Sequence, residues 1–395
     1  MKFATRVKGL TPSDIQEMFK VIAKPEVISF ASGVPDPNIF PVEEIEKITS
    51  QIINENGQTA LQYNTTEGYI PLREKIASRM KSNGVKTHKE NILITTGAQQ
   101  GLELSAKLFL DKGDAVICES PTYSGAISAF KSYSPEFIEI TTDKNGMKMD
   151  ELKKVLDTKD NIKMIYVITN FQNPTGKSWS VKRRKELISI SESYDVPIVE
   201  DNAYEEISFR EKKRPTLKSL DKEEKVIYLG SFSKTFCPGL RVGWIEAKDS
   251  ILEKYIMLKQ SSDMHTNILA QMQISKYLEL NDFDAHIAKI NSSYKNRKNI
   301  MLESIKKYFP SSCSYTYPEG GMFIWVEMPE KINARKVLDE ALKENVAFIP
   351  GDSFYPNKEV KNTFRLNFSN ADESKISTGI EKLSKVIQRF INDAG

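Results

Sequence analysis

Histidine and cysteine are scarce in this sequence, with three of each among 395 residues. Cys118, Cys237 and Cys313 stand alone, at spacings that suit neither a metal site nor a disulfide framework. His88, His265 and His286 are equally scattered, which argues against a histidine-based metal centre. Long apolar runs are missing too. The longest, around "IKMIYVIT" (162–169), is far too short to cross a bilayer. The opening stretch "MKFATRVKGLTPSD" has no continuous apolar segment of the kind a secretory signal needs. The expected compartment is the cytoplasm, with no membrane partner. Nor is there an excess of one charge: 56 basic against 53 acidic residues leave a formal net charge of +3. Such a balance argues against nucleic acid as the main partner. The local run "KRRK" (182–185) reads as a solvated helix face. Low-complexity segments, internal repeats and a Pro/Ser-rich linker are absent as well.

What the chain does have is alternation. From about residue 90 to 250, short apolar runs follow one another: "NILITTG", "AVICESP", "FIEIT", "MIYVITN", "VPIVEDN", "KVIYLGS" and "RVGWIEA". Each reads as a buried strand closed by turn or polar residues. Between them "AQQGLELSAKLFL" and "VKRRKELISISESY" repeat apolar residues at helical spacing. The pattern predicts an α/β fold with a mainly parallel, seven-stranded sheet between helices. From about 250 to 310 the chain turns helical. Beyond 311, "GGMFIWVEM", "VAFIPG" and "TFRLNFS" alternate with helical "NARKVLDEALKEN", as in a second, smaller α+β domain packed closely on the first.

In parallel sheets ligands bind beyond the carboxyl ends of the strands, so the residues closing these strands are the ones to weigh. "TTGAQQG" (95–101) places a glycine turn ahead of a helix, where N–H groups and the helix dipole favour a phosphate. "NFQNPTG" (170–176) carries Asn173 before a proline. "IVEDNAY" (198–204) closes an apolar strand with Glu200 and Asp201, and a buried carboxylate there calls for a partner cation. "GSFSKTFCPGLRVGW" (230–244) hems a lysine between small residues, as suits an amine kept unprotonated to attack a carbonyl. The four together suit one ligand with a phosphate, a cationic ring nitrogen, a phenolic oxygen and an aldehyde, namely pyridoxal 5′-phosphate.

The same motifs strongly resemble those of the fold-type I, class I/II aminotransferases. The nearest branch holds the 2-aminoadipate, kynurenine and aromatic enzymes. "SFASGVPDPNIFP" (29–41), "LQYNTTEGY" (61–69), "PEGGMF" (318–323) and "RLNFS" (365–369) extend the likeness from about residue 10 to the C-terminus. The resemblance implies that Lys234 forms the Schiff base with the cofactor and shuttles the substrate proton. It implies that Asp201 pairs with the ring nitrogen, that Tyr204 and Asn173 bond the phenolic oxygen, and that Tyr123 stacks on the ring. Ser231, Ser233, Arg241 and the turn at Ala98 and Gln99 would hold the phosphate; many relatives have Ser or Thr at Ala98, so one hydroxyl contact is missing. Arg365 would grip the substrate carboxylate. Its alternation with Leu366 and Phe368 points it to the cleft if those two face the core. Gly33 would bring a second backbone segment to that end of the substrate.

By the same resemblance Tyr63 reaches the partner's phosphate, which implies a homodimer with shared active sites. It also implies an N-terminal segment (1–40) that is mobile and joins the small domain, a large cofactor-binding domain (41–285) and a small C-terminal domain (286–395). "LTPSDIQEMFK" (10–20) reads as a short helix capped by Ser13 with Ile15, Met18 and Phe19 on one face. Gln16 takes the place where acidic-substrate relatives can carry an arginine, which implies aromatic or long aliphatic donors, or 2-aminoadipate. The expected reaction moves an α-amino group to a 2-oxo acid, with 2-oxoglutarate as acceptor. A lyase, decarboxylase or cyclopropane-forming synthase could run on the same machinery. A transcription regulator of this fold would carry a winged helix-turn-helix ahead of it, and only about thirty residues precede "SFASGVPDP".

Overall fold

The computed structural model describes residues 2–7 and 26–394. Its centre is an eight-stranded sheet built from β1 (Ile92–Thr95), β2 (Ala115–Ser120), β3 (Glu136–Asp143), β4 (Gly146–Met147), β5 (Ile162–Val167), β6 (Ile198–Asp201), β7 (Val226–Ser231) and β8 (Gly243–Glu246). Their order is β1-β8-β7-β6-β5-β2-β3-β4. All seven anticipated strands form, and the two-residue β4 adds an eighth at the edge. β8 runs antiparallel to both of its neighbours, β1 and β7, and β4 is antiparallel to β3; the remaining pairs are parallel.

Successive side chains of a strand face opposite sides, and here that parity sorts the site. Val199, Ile227 and Leu229 lie in one buried cluster, which also takes in Phe323 and Leu366 from the C-terminal part. Ile198 and Val226 lie in another with Leu217. Asp201 and Ser231, two residues beyond Val199 and Leu229, therefore face the C-terminal domain, and Glu200 faces away.

That domain carries an antiparallel sheet in the order β9 (Ser314–Tyr315), β10 (Phe323–Glu327), β12 (Thr363–Asn367), β11 (Ile349–Pro350). "VAFIPG" is not one strand. Val346–Ala347 pairs with Ile28–Ser29, while Ile349–Pro350 pairs with β12. Buried Phe348 sits between the two pieces, so the segment serves two sheets. Phe30 then accepts a hydrogen bond from the Asn367 amide at 2.8 Å, which lays Ala31–Gly33 alongside β12. Position 285, the anticipated domain limit, falls inside the 26-residue helix Phe283–Tyr308.

One basic run departs from its reading. "KRRK" starts the helix Val181–Tyr194, but Arg184 is fully buried. Its guanidinium donates to the carbonyls of Thr169 and Pro215 at 2.8 Å each and to Asn170 Oδ1 at 2.7 Å. A run of like charges does not reveal which member falls on the buried stripe of a helix; the position three residues before Leu187 does.

Candidate active site

Asp201 closes β6 and is 4% exposed. Tyr166, on the neighbouring strand β5, donates its hydroxyl to Asp201 Oδ2 at 3.0 Å. Burial pushes the carboxyl up to about 6, held down from a higher value by Tyr166, the Ala203 amide and the charge of Lys234. Oδ1 is buried without a partner. Glu200 solves its burial differently. It accepts from Thr169 Oγ1 at 2.7 Å and from the amides of Leu217 and Lys218, at 2.9 and 3.0 Å, where the short helix Leu217–Leu220 begins. Neither carboxylate forms an ion pair among the described residues, but each has a cation within electrostatic reach: the buried Arg184 guanidinium for Glu200 and Lys234 for Asp201.

Lys234 lies in the turn after β7 and donates to the Gly33 carbonyl at 2.8 Å. Its amine is pushed down to about 8 by burial and then by the positive charges of Arg365 and Arg241, against the pull of Asp201. These four ionic groups thus surround one space. Gly33 has no room for a side chain, because a Cβ there would come within 2.8 Å of the Phe323 ring.

Arg365, on β12, is 1% exposed. It donates to Asn173 Oδ1 at 2.8 Å and to the Ala31 carbonyl at 2.7 Å, while Nε is unpartnered. The Phe323 and Phe354 rings cover the guanidinium, at 4.2 and 5.1 Å to their centroids, and burial lowers it to about 10. Leu366 and Phe368 are both buried, as the alternation requires. Asn173 Nδ2 in turn donates to the Tyr204 hydroxyl at 3.3 Å. Tyr123 precedes the helix Ser124–Lys131. Its phenol is raised by burial and by Asp201, against Arg365 and Arg241, which places it beside the same groups.

At the other end the helix Ala98–Phe109 starts after Gly97, whose φ is +75°. A helix begins with amides that have no partner within it, and here those belong to Ala98 and Gln99. Arg241 Nη1 donates to Ser233 Oγ at 3.3 Å, and Nη2 to the Thr96 carbonyl at 3.4 Å. Ser231 Oγ accepts from the Ser233 amide at 3.0 Å. Two hydroxyls, a guanidinium and a helix N-terminus form a cup for a dianion.

Residues 25–383 match the family model for aminotransferase class I and II. Over 98% of this chain and 94% of its own length, an aromatic-amino-acid aminotransferase 1 of Thermococcus litoralis is 40% identical. The crystal structure of a Pyrococcus horikoshii kynurenine aminotransferase, solved with PMP, has a TM-score of 0.94 at 38% identity and covers 98% of this chain and 97% of that one. An α-aminoadipate aminotransferase from Thermus thermophilus, complexed with N-(5′-phosphopyridoxyl)-L-leucine, has a TM-score of 0.93 at 36% identity, covering 99% and 98%. The chain belongs to the class I and II aminotransferases. It is a transaminase that works with pyridoxal phosphate.

The residues of this aminotransferase fit that cofactor. The orphaned Asp201 Oδ1 offers an acceptor for a protonated ring nitrogen, a lysine with a depressed pKa stands ready for an aldehyde, and the cup suits a phosphate. Lys234, Asp201, Asn173, Tyr204, Tyr123 and Arg365 are brought together, and Ser231, Ser233, Arg241, Ala98 and Gln99 form the cup. Gln99 also donates its side-chain amide to the Gly125 carbonyl at 2.9 Å. Tyr63 stands apart. It is 76% exposed and packs edge-on against His265 at 5.9 Å. Gln16, with Ser13, Ile15, Met18 and Phe19, lies outside the described residues. Tyr166 was missed by the sequence reading, which took it for core; a hydroxyl in the apolar strand next to the one ending in Asp201 was its only signal.

Proposed function

We propose that the aminotransferase takes the α-amino group from an aromatic or long aliphatic L-amino acid, or from 2-aminoadipate, and passes it to 2-oxoglutarate in a ping-pong cycle. It would do so as a homodimer with shared sites. Bound pyridoxal phosphate supplies the aldehyde that takes up the amino group and the ring that accepts electrons from the substrate. The chain's residues do the rest. Arg365, with Nε free and Asn173 fixing its plane, binds the α-carboxylate and turns the Cα–H bond towards Lys234. The Lys234 amine, neutral in part at physiological pH, takes the proton from Cα and would deliver it to the cofactor's former aldehyde carbon, on the other side of the amino nitrogen. Asp201 keeps the ring nitrogen protonated, with Tyr166 fixing its rotamer.

The observation that carries this reading is the pairing of a lysine whose pKa is pushed down to about 8 with a buried, aromatic-covered arginine across one space. The named relatives act on aromatic amino acids, kynurenine and α-aminoadipate, which supports a donor of that size. Gln16 can hydrogen-bond a distal carboxylate but not neutralise it, and a neutral bond contributes about 1 kcal/mol. The test is a donor panel with 2-oxoglutarate, scoring release of a 2-oxo acid together with glutamate. Phenylalanine and leucine should exceed 2-aminoadipate in kcat/KM, and Gln16→Arg should reverse that order. A wild type that prefers 2-aminoadipate, or an unchanged ranking in Gln16→Arg, overturns this account of specificity.

A further inference from the structure

Lys259 is 0% exposed and lies outside the set of residues that surround Lys234. It sits in the last turn of the helix Asp249–Gln260, on the far side of the phosphate cup's turn. All three of its protons are used: Nζ donates to Asp263 Oδ1 at 2.7 Å, to Gln100 Oε1 at 2.9 Å and to Thr266 Oγ1 at 3.1 Å. Each acceptor leads back to Thr96. Gln100 Oε1 also accepts from the Thr96 amide at 2.8 Å. Asp263 Oδ2 accepts from Thr96 Oγ1 at 3.0 Å and from Gln100 Nε2 at 2.8 Å. Thr96 Oγ1 also lies 3.2 Å from Thr266 Oγ1. The Thr96 amide and hydroxyl are thereby fixed from behind, and its carbonyl is the acceptor of Arg241 Nη2.

Burying an ammonium is costly unless every proton is satisfied, and a fold has no need to place one here merely to fill space. We propose that Lys259 is a positioning residue for the cofactor phosphate: through Gln100 and Asp263 it sets the Thr96–Gly97–Ala98 turn, and with it the helix amides and the Arg241 guanidinium that face the phosphate. Both converge on that turn, since a Cβ on Gly97 would come within 2.4 Å of Arg241 Nη2. A turn free to rotate would splay donors that bind a dianion only when aligned. Among the described residues the hydrogen bonds from Lys259 run to the phosphate end, and its one route to Lys234 is the charge of Arg241.

The inference rests on the cofactor reading above, and the test separates the two. Apoenzyme is titrated with pyridoxal 5′-phosphate and with pyridoxal, following absorbance and intrinsic fluorescence; the Lys234 contribution is common to both and cancels in the ratio. Wild type should prefer the phosphorylated form strongly; no preference there sinks the cup itself. Lys259→Met should weaken pyridoxal 5′-phosphate by roughly tenfold or more, as loss of a charged hydrogen-bond partner does, and weaken pyridoxal far less. Because Lys259→Met also strands Asp263 and could impair folding, Gln100→Met is the second variant. It removes the bond to the Thr96 amide, keeps the Lys259–Asp263 pair and the bond of Asp263 to Thr96 Oγ1, and should show a smaller phosphate-selective loss in protein whose melting temperature is close to wild type. Equal weakening of both ligands, or no weakening in Gln100→Met, overturns the proposal.

Discussion

At the residue scale the decisive quantity is the charge on Lys234. An ordinary lysine is almost entirely protonated at pH 7, whereas one with a pKa of about 8 has roughly a tenth of its amines free. Burial comes first among the causes, and Arg365 second. Removing a nearby positive charge makes protonation easier, so Arg365→Met should move this pKa upward. The rate at which added cofactor reacts with apoenzyme, read by absorbance, should rise with pH through a midpoint of about 8 in wild type and then level off. In Arg365→Met the midpoint should lie higher; an unmoved midpoint would mean that burial alone sets it. Lys234→Ala should abolish both the reaction and turnover while phosphate binding persists. Undiminished transamination by that variant would sink the assignment.

At the scale of elements, the sheet was legible because its strands are made of buried β-branched and aliphatic runs ending in polar residues, and the same parity told Arg365 from Leu366. What could not be read were bonds between segments far apart in sequence. Tyr166 reaches Asp201 across 35 positions, and Lys259 reaches Gln100 across 159; no periodicity encodes either. Arg184 shows the same blindness within a helix, where charge masked burial. Cutting it to Met should strand Asn170 Oδ1 and the Pro215 carbonyl and take one of two donors from the Thr169 carbonyl, at a cost of about 2–4 kcal/mol in urea unfolding. A change below 0.5 kcal/mol would count against its role as a brace behind the loop that carries Asn173. Gly97 makes a second element-scale case. Its φ of +75° and the contact with Arg241 leave no place for a side chain. Gly97→Ala should cost about 1–3 kcal/mol in strain and weaken cofactor binding, as measured by thermal melting with and without pyridoxal phosphate. Melting and affinity like those of wild type would show that the turn tolerates the methyl group.

At the scale of the whole molecule, one chain leaves its cup open. Arg241 and Gln99 are exposed, and so are the apolar side chains of Leu61 (75%), Tyr63 (76%), Ile70 (52%) and Met264 (57%). Tyr63 meets His265 edge-on, and the Tyr69 amide donates to Gln271 at 2.8 Å, so these two stretches of chain adjoin one another. An apolar surface of this kind suits a permanent contact. If a second copy covers it in two-fold fashion, Tyr63 of each chain is carried towards the other's cup. Mixing settles the point. A Tyr63→Ala chain keeps Lys234 but lacks the donated phenol, and a Lys234→Ala chain donates the phenol but lacks the amine. Each homodimer should be weak or dead. After subunit exchange half the dimers are mixed, and each has one complete pocket of its two, so activity should recover to about a quarter of wild type per chain. If Tyr63 served its own chain's pocket, no mixed dimer would hold a complete site on the Lys234 side, and exchange confirmed by mass spectrometry would bring no recovery.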